Sequence, residues 1–416
     1  MKTIESVAVI GLGYIGLPTA TVLATNGLRV VGVDVNPETI EAVNRGEVPF
    51  VEPDLGEQMS KAVSSGMLHA SRETPHADAY IVAVPTPFNE DKSADLSYIE
   101  AAASSIAPQL QGGELLILES TSPPGATKRM GEVVAQLRPD LSFGDEEDAV
   151  LLAHCPERVL PGRIMIEIVS NDRIIGGITK AAAERARDLY STFCKGDIHL
   201  TDAVTAEMAK LVENSYRDVN IAFANELSII SEHLDINVWE LIRLANFHPR
   251  VNILQPGPGV GGHCIAVDPW FIVSAAPAEA RMIRTAREVN DTKPEYVIER
   301  VLKAVRDTEA DSVAVLGLAF KANVDDLRES PAVAIVRSLS ERLDGTSIKV
   351  VEPHVSVLPE SLDRESINLV GLDEALRSSQ VLLLLVDHDA FGSLRTSDLD
   401  GLAVVDTKGM LTVSQP

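Results

Sequence analysis

Short hydrophobic runs alternate with amphipathic stretches along the first third of the chain. Residues 6–10, 28–33, 79–84 and 114–118 are each rich in valine, isoleucine or leucine, and helix-compatible segments separate them. Apolar runs of this length are typical of strands buried on both faces, and their alternation with helices predicts a parallel, doubly wound sheet. Ligands are therefore expected at the carboxyl ends of these strands.

The pattern changes to helical spacing between residues 205 and 234, in TAEMAKLVENSYRDVNIAFANELSIISEHL, which contains neither proline nor glycine. A helix of this length commonly connects domains or forms a dimer interface. A second alternation of strands and helices begins at Asp311, with strands predicted in DSVAVLGLAFK, IKVVEP, VLLLLVDH and LAVVDTKG.

The predicted fold class is therefore α/β: two Rossmann-like doubly wound domains joined by a long central helix in a helical dimerisation region. We expect a first domain over residues 1–198, a central helical domain over 199–305 and a last domain over 306–416. Each approaches the usual domain size of about 100 to 200 residues.

The charge balance narrows the range of partners. The chain has 36 lysines and arginines against 61 aspartates and glutamates, a net charge of −25. Such a surface repels phosphate backbones and anionic lipid, so we expect neither nucleic acid nor membrane as a partner, and an anionic ligand needs a local basic pocket. Three widely spaced cysteines, no signal-peptide pattern and no membrane-length apolar run together predict a cytoplasmic protein.

The first strand is followed by a glycine-rich turn that is typical of dinucleotide binding. Gly11, Gly13 and Gly16 form GLGYIG, and Asp34 closes the second strand 21 residues beyond Gly13. Glycines let the backbone approach a pyrophosphate at a helix N-terminus, and the acid accepts hydrogen bonds from a ribose diol, which favours NAD over NADP.

Two further strand ends point to the same edge of the sheet. VPTP at residues 84–87 and ESTSPPG at 119–125 place Thr86 and Thr121 where a doubly wound sheet meets its cofactor. Proline-rich sequences also simply end strands, and the sequence alone does not decide between these interpretations.

The long helix carries a polar stripe. Lys210, Asn214 and Arg217 lie at positions i, i+4 and i+7. A solvated face is the usual explanation. The alternative is catalytic, because a lysine near an oxidisable hydroxyl stabilises an oxyanion or transfers a proton.

Cys264 lies in the glycine-rich segment PGVGGHCIAVDP, with Asp268 four residues later, and this setting predicts a cysteine that is displayed rather than packed. A nicotinamide cofactor oxidises an alcohol to an aldehyde; a thiolate that then adds to the aldehyde allows a second hydride transfer to a thioester. Hydrolysis of that thioester needs a base, a role open to Asp268 or Glu157. Cys264 as a small loop residue beside a turn is the alternative.

Two His-Cys pairs, His154-Cys155 and His263-Cys264, do not indicate a metal. Adjacent ligands chelate poorly, and the sequence lacks the C-x-x-C or H-x-x-x-H spacing of a zinc site. We therefore expect no metal.

Motifs spread along the chain carry a resemblance to a known family. They are GLGYIGLP, VPTP, ESTSPPG, CPERVLPG, AEMAKLVENSYRDVNIAFANEL, HPRVNILQPGPGVGGHCIAVDPWF and GLAFKANVDDLRESPA. Together they resemble the UDP-glucose/GDP-mannose dehydrogenase family over nearly the whole chain. CPERVLPG, NDRIIGG and the cysteine segment are most similar to the members that oxidise UDP-N-acetyl-D-mannosamine.

The resemblance implies NAD-dependent oxidation of the sugar C6 alcohol to a carboxylate, with two NAD consumed per sugar. It also implies a homodimer built on the central helix and a last domain that binds the UDP half of a UDP-sugar substrate.

Residue roles follow from the resemblance, motif by motif. It implies that Cys264 is the nucleophile and Lys210 the proton carrier and oxyanion stabiliser. Residues that would assist hydrolysis are Asn214, Asp268, Glu157 and Thr121. Implied cofactor contacts are Tyr14, Ile15, Asp34, Thr86 and Thr121, and Arg328 would reach the active site across a domain or subunit boundary. Implied substrate contacts are Arg158, Val159, Lys210, Asn214, Arg217, His248, Arg250, Gly261 and Lys321.

Three other functions remain open. A sister dehydrogenase would use the same chemistry on UDP-N-acetylglucosamine or UDP-glucose. A one-step dehydrogenase of the hydroxyacid type would need the helix lysine and asparagine but not Cys264. A nucleotide-sugar sensor would bind both ligands without turnover.

Overall fold

The hydrophobic runs pair into two separate sheets. The computed structural model describes residues 3–89, 91–144, 146–160, 162–262 and 264–411. Two units of the chain can be distinguished: unit 1 is residues 1–213 with 274–276, and unit 2 is residues 214–273 with 277–416.

Unit 1 contains, within its described residues, a sheet in the order β3-β2-β1-β4-β5-β6-β7-β8. Its strands are β1 (Ser6–Ile10), β2 (Arg29–Val33), β3 (Leu68–Ser71), β4 (Ala79–Val82), β5 (Leu115–Leu118), β6 (Leu151–His154), β7 (Arg173–Gly177) and β8 (Ile198–Asp202). Neighbours are parallel except β6 and β7. The order reverses between β1 and β4, which is the point where such sheets bind ligands.

Helices cover both faces of this sheet. They are α1 (Gly16–Thr25), α2 (Pro37–Asn44), α3 (Leu55–Ser64), α4 (Ser97–Ile106), α5 (Ala126–Leu137), α6 (Ile164–Ser170) and α7 (Lys180–Tyr190). Alternate residues of β1 point to opposite faces: Val7 and Val9 belong to one buried apolar cluster, and Ala8 and Ile10 to another. Burial on both faces explains the continuous apolar runs.

The long helix predicted over residues 205–234 is α8 (Ala203–His233), which continues from unit 1 into unit 2. The other helices of unit 2 are α9 (Val238–Ala245), α10 (Asp268–Ala275), α11 (Arg281–Thr308), α12 (Pro331–Arg342) and α13 (Leu372–Arg377). None of the helices in the described ranges has the length and apolar character to span a membrane.

In unit 2 a fully parallel sheet has the order β11-β10-β9-β12-β13. Its strands, among the residues described, are β9 (Ser312–Leu316), β10 (Ser347–Val351), β11 (Ile367–Leu369), β12 (Val381–Leu384) and β13 (Ala403–Asp406). Four of them lie in the four segments where the sequence predicts strands. The order again reverses beside the first strand of the sheet, so the predicted α/β class with two Rossmann-like sheets is confirmed.

Buried polar groups hold α8 against α11 in unit 2. The Arg287 guanidinium donates to Asp218 at 2.6 Å, and Asn290 Nδ2 donates to the same carboxylate at 2.8 Å. Asn225 Nδ2 donates to Asn290 Oδ1 at 2.8 Å. All four side chains are at most 1% exposed. Loss of any one of these hydrogen bonds would leave a buried polar group without a partner. The network therefore fixes the register of the two helices.

Candidate active site

The glycine turn after β1 is built from three glycines with different tasks. Gly11 has φ of 95°, and a Cβ there would lie 2.5 Å from the Ala83 carbonyl oxygen. A Cβ at Gly16 would lie 1.9 Å from the Gly11 carbonyl oxygen. A Cβ at Gly13 would meet no atom within 4 Å. Gly11 and Gly16 therefore allow the turn to close, whereas Gly13 leaves open space in front of α1.

Asp34 ties the end of β2 to this turn. Its Oδ2 accepts from the Leu12 backbone N–H at 2.8 Å, and its Oδ1 accepts from the Asn36 N–H at 2.8 Å. A carboxylate oxygen has a second lone pair, so the group retains the capacity to bind a diol. Nearby, the Tyr14 ring stacks on Phe50 with centroids 4.3 Å apart.

The loops after β4 and β5 meet beside the turn. The Ser120 hydroxyl donates to the Val84 carbonyl oxygen at 2.6 Å, which joins the loop of Thr86 to the loop of Thr121. Thr86 Oγ1 is buried and has no hydrogen-bond partner among the described residues. A ligand atom at this point would satisfy it.

These features fit a dinucleotide. Helix α1 begins without a side-chain cap, so its first N–H groups remain available to a phosphate. The open space at Gly13 lets a pyrophosphate approach the backbone. Thr86 offers a hydroxyl without a partner among the described residues, and Asp34 offers a carboxylate that can accept hydrogen bonds from a ribose.

Glu207 of α8 holds the start of α5 in place. Its carboxylate accepts from the Gly125 N–H at 2.6 Å and from the Thr127 N–H at 2.7 Å. Burial raises the pKa of Glu207, and the two backbone donors oppose that rise. The contact fixes the loop that contains Thr121 to the first turns of α8, where Lys210 lies.

A charged cluster is buried where β5 and β6 end and β7 begins. Glu157 accepts from Arg173 Nη2 at 3.1 Å and from the Arg158 N–H at 2.7 Å. Glu119, fully buried, accepts from the hydroxyls of Tyr190 at 2.9 Å and Thr19 at 3.0 Å. Burial raises the pKa of Glu119 to about 7, and the charge of Glu157 contributes to the rise.

Three predicted substrate residues line one cavity of about 470 Å³ in unit 1. They are Arg158, Val159 and Lys210. Arg158 forms an ion pair with Glu213 at 2.7 Å, and Glu213 also lines the cavity. The structure therefore brings these three residues together around a space of ligand size, which the acidic residues Glu167, Asp172 and Glu213 also line.

Cys264 is the exposed cysteine, in contrast to the other two. Cys155 is fully buried, and burial raises the pKa of its thiol to about 12, so it remains a protonated thiol. Cys194 is half-buried, and its thiol lies within hydrogen-bond distance of the Asn171 carbonyl oxygen at 3.5 Å. The prediction that Cys264 is displayed rather than packed is confirmed.

Asn214, Asp268 and Cys264 are linked in unit 2. The Asn214 amide donates to Asp268 Oδ2 at 2.5 Å, and the Asp268 N–H donates to the Cys264 carbonyl oxygen at 2.9 Å. Asp268 is the first residue of α10 and is only 3% exposed. The backbone of Asp268 thus closes the turn that carries the exposed thiol, and the buried carboxylate of Asp268 is bonded to Asn214 of α8.

The loop before the cysteine packs on the start of α12. The Gly262 N–H donates to the Glu329 carbonyl oxygen at 3.3 Å. A Cβ at Gly261 would lie 2.6 Å from Pro331 Cδ and 2.7 Å from the Glu329 carbonyl oxygen. The same segment after β9 contains Lys321 and Arg328; Arg328 pairs with Asp326 at 2.7 Å.

The remaining predicted cations are exposed. Arg217, His248 and Arg250 lie on the surface of unit 2, and the Arg250 N–H donates to His248 Nδ1 at 3.3 Å, a contact within one turn of chain. No group of three potential metal ligands exists among the described residues. His263 lies outside the described residues.

Sequence reasoning missed Glu119, Arg173 and Glu207. A signal existed for Glu119, because an acid directly after the apolar run LLIL stands at the carboxyl end of a buried strand. Arg173 and Glu207 gave no such signal, since their partners lie far away along the chain.

The fold and the glycine turn define a dehydrogenase with a nicotinamide dinucleotide cofactor. Three models of one family match the chain: the NAD-binding domain over residues 5–194, the central domain over 204–292 and the UDP-binding domain over 314–413. The chain belongs to the UDP-glucose/GDP-mannose dehydrogenase family. Its cofactor is NAD, and the protein is an oxidoreductase of the nucleotide-sugar dehydrogenase type.

Similar proteins carry two kinds of name. An NDP-N-acetyl-D-galactosaminuronic acid dehydrogenase of Ralstonia nicotianae is 56% identical over 98% of this chain and 96% of the relative. A UDP-N-acetyl-D-mannosamine dehydrogenase of Salmonella typhi is 54% identical over 97% and 99%. The solved UDP-D-ManNAc dehydrogenase of Pyrococcus horikoshii has a TM-score of 0.86 at 36% identity, covering 99% and 96%.

Proposed function

We propose that this protein oxidises the C6 alcohol of UDP-N-acetyl-D-mannosamine to the carboxylate, in a four-electron reaction that consumes two NAD and one water. The names of similar proteins from Salmonella typhi and Pyrococcus horikoshii support the substrate. The family's UDP-binding domain supports the nucleotide. UDP-N-acetylglucosamine and UDP-glucose are the alternative substrates.

One observation carries the covalent mechanism. The exposed thiol of Cys264 lies on a turn whose carbonyl accepts from Asp268, and Asp268 in turn accepts from Asn214. These are the three residue types that a thioester route needs in unit 2: a nucleophile, a carboxylate and an amide that orients it. A loop cysteine without chemical function would not require this arrangement.

In the first half of the proposed reaction, Lys210 takes the proton of the C6 hydroxyl and stabilises the developing oxyanion. NAD, when bound, accepts the hydride from C6. Asp34, Gly13 and Thr86 would hold the cofactor at the edge of the sheet.

In the second half, the Cys264 sulfur bonds to the aldehyde carbon and forms a thiohemiacetal. Loss of a second hydride gives the thioester. Water then attacks the carbonyl carbon, its proton passes to Glu157 or Asp268, and the C–S bond breaks to release the carboxylate and the thiol. Thr121 and Asn214 would assist this step.

Four cations supply the local positive charge that a diphosphate requires in a chain of net charge −25. We assign this role to Arg158, Arg217, Arg250 and Lys321. Val159, His248 and Gly261 would contact the remainder of the nucleotide sugar, and Arg328 would complete the active site.

A homodimer built on α8 forms part of the proposal. Three large apolar side chains lie exposed on this helix in unit 2, Tyr216 at 72%, Phe223 at 50% and Ile230 at 45%, and Leu234, at 58%, follows the helix directly. The seven-residue spacing of the first three puts them on one face of the helix, and an exposed apolar face marks an interaction site in a chain that is otherwise strongly charged. A second copy of the same helix would cover it.

A second substrate is favoured by a specific finding, the 56% identical relative named for N-acetyl-D-galactosaminuronic acid. The mannosamine and galactosamine sugars share a C2 acetamido group and differ in ring configuration. The two assignments therefore use the same chemistry, and the shape of the sugar pocket decides between them.

The test counts NADH per sugar. Purified protein and excess NAD are mixed with limiting UDP-linked N-acetylmannosamine, N-acetylgalactosamine, N-acetylglucosamine or glucose in parallel. We expect two NADH per sugar with the mannosamine substrate and turnover at least about tenfold slower with the others. Two NADH per sugar, formed faster with another sugar than with the mannosamine substrate, would preserve the mechanism and change the substrate.

Cysteine variants provide the matched control for the covalent step. Cys264→Ala should form no more than one NADH per sugar, whereas Cys194→Ala should still form two. A Cys264→Ala protein that forms two NADH at the rate of the unmodified enzyme would show that the reaction does not pass through this thiol.

A further inference from the structure

Four polar side chains are sealed together in unit 1 and form a continuous series of contacts. The Tyr190 hydroxyl donates to Glu119 Oε1 at 2.9 Å, and the Arg173 guanidinium carbon lies 4.8 Å from the centre of the Tyr190 ring. Arg173 Nη2 then donates to Glu157 Oε2 at 3.1 Å. None of the four is more than 8% exposed. Glu157, a proposed base for hydrolysis, is therefore connected to a second carboxyl group at Glu119.

The charges within the cluster do not balance. Arg173 is its cation, and Glu119 and Glu157 are two carboxyl groups. The other titratable groups that act on it, Cys155 and Tyr190, are uncharged near neutrality, since burial raises the pKa of the Cys155 thiol to about 12 and raises the pKa of Tyr190 well above its usual value. Arg158, next to Glu157 in the chain, is paired with Glu213. One guanidinium balances one carboxylate, and a second buried carboxylate would remain unpaired. The cluster therefore retains one acidic proton near neutral pH.

The hydrogen-bond partners place that proton on Glu119. Glu157 accepts from a guanidinium and a backbone N–H, which only donate and so favour the ionised form. Glu119 faces two hydroxyls, from Tyr190 and Thr19, and a hydroxyl either donates or accepts. Glu119 is therefore satisfied in both protonation states, and its proton is the one that the cluster gains or loses.

We propose that Glu119 is a positioning residue that sets the basicity of Glu157 during thioester hydrolysis; this inference rests on the proposed function. With Glu119 protonated, the guanidinium of Arg173 is paired with Glu157 alone. When Glu119 releases its proton to solvent, its negative charge repels that of Glu157, and this repulsion favours transfer of a proton from the attacking water to Glu157. Glu157 then takes a proton from the attacking water as the C–O bond forms and the C–S bond breaks.

The first hydride transfer needs no water and does not depend on Glu119. Hydrolysis of the acyl-enzyme should consequently accelerate as the pH rises through the titration of Glu119, while the first NADH forms at an unchanged rate. A merely structural role for Glu119 would affect both steps or neither.

The coupling can be tested without turnover. Infrared difference spectra of the protein with no ligand added would follow the C=O band of protonated buried carboxyl groups against pH. We expect a band that titrates near pH 7, is lost in Glu119→Gln, and shifts its midpoint downward by about one pH unit or more in Glu157→Gln. An unshifted midpoint in Glu157→Gln would show that the two carboxyl groups are independent and would overturn the inference.

The effect on hydrolysis is measured by acid quench and intact-mass detection of the acyl-enzyme. Between about pH 6 and about pH 8.5, decay should accelerate several-fold in the unmodified enzyme and remain flat in Glu119→Gln. Tyr190→Phe removes a donor that stabilises the ionised carboxyl, so its profile should shift to higher pH. An unaltered profile in Glu119→Gln overturns the inference, whereas the absence of any acyl-enzyme or second NADH in the unmodified enzyme refutes the proposed function instead.

Discussion

At the scale of single residues, Gly13 shows how the absence of a side chain creates a binding feature. Gly11 and Gly16 are confined by backbone oxygens, whereas the space beside Gly13 is open. A side chain at position 13 would therefore occupy ligand space and leave the protein fold intact.

Gly13→Val should raise the Kd for NAD at least about tenfold without lowering the melting temperature, because the new methyl groups exclude the pyrophosphate. Gly16→Val is the contrasting variant, since its Cβ would collide with the Gly11 carbonyl oxygen and destabilise the turn. Titration calorimetry and thermal melting distinguish the two effects. Unchanged NAD affinity in Gly13→Val would mean that the cofactor does not approach this position.

Residues of the glycine turn were predictable from the sequence because local spacing determines them. Gly11, Gly13, Gly16 and Asp34 lie within one strand-turn-helix-strand segment. The role of Glu119 was not predictable, since it depends on burial and on Arg173, a residue that only the pairing of β6 with β7 brings close. The exposure of Cys264 was predictable from its glycine-rich surroundings.

At the scale of elements, strands buried on both faces were the most predictable. β1, β2, β4 and β5 are continuous apolar runs, and each lies within its predicted range. β3, β6, β7, β8 and β11 were not predicted. LHAS, LLAH, RIIGG, IHLTD and INL are short and contain polar or glycine residues. Helix α8 was predictable because none of its 31 residues is proline or glycine, the residues that most often interrupt or end a helix.

Helix α8 also carries a prediction about assembly. Phe223→Glu should raise the Kd of the proposed dimer at least about a hundredfold, because a charge would be buried in the apolar contact. Leu137→Glu on α5 provides the control, since Leu137 is also about half-exposed (53%) but lies on another helix. Sedimentation velocity measures both. A Phe223→Glu protein that stays dimeric would place the interface elsewhere.

At the scale of the whole molecule, the buried carboxyl of Glu119 makes stability depend on pH. Its folded-state pKa of about 7 lies above the ordinary value of 4.5, so the folded protein binds this proton more tightly than the unfolded chain. The stability it contributes is complete below about pH 4.5 and is lost as the pH rises through about 7. The difference of about 2.5 units corresponds to about 3 kcal/mol.

Glu119→Gln cannot ionise and should therefore lose less stability between about pH 5 and about pH 8 than the unmodified protein, by up to about 3 kcal/mol. Urea unfolding followed by circular dichroism at the two pH values measures the difference. Glu73→Gln, at an exposed position, should change stability equally at both. If Glu119→Gln also changed stability equally at the two pH values, the result would show that Glu119 is ionised throughout this range.

The contact between the cysteine loop and the start of α12 has a consequence for exchanging domains between such enzymes. Pro331 and the Glu329 carbonyl lie close against Gly261, and the Gly262 N–H donates to that same carbonyl. Neither segment can therefore shift without displacing the other. A chimera that exchanged the last domain for that of a relative with another sugar preference would have to bring residues 257–264 along with it, or the thiol would lose its support.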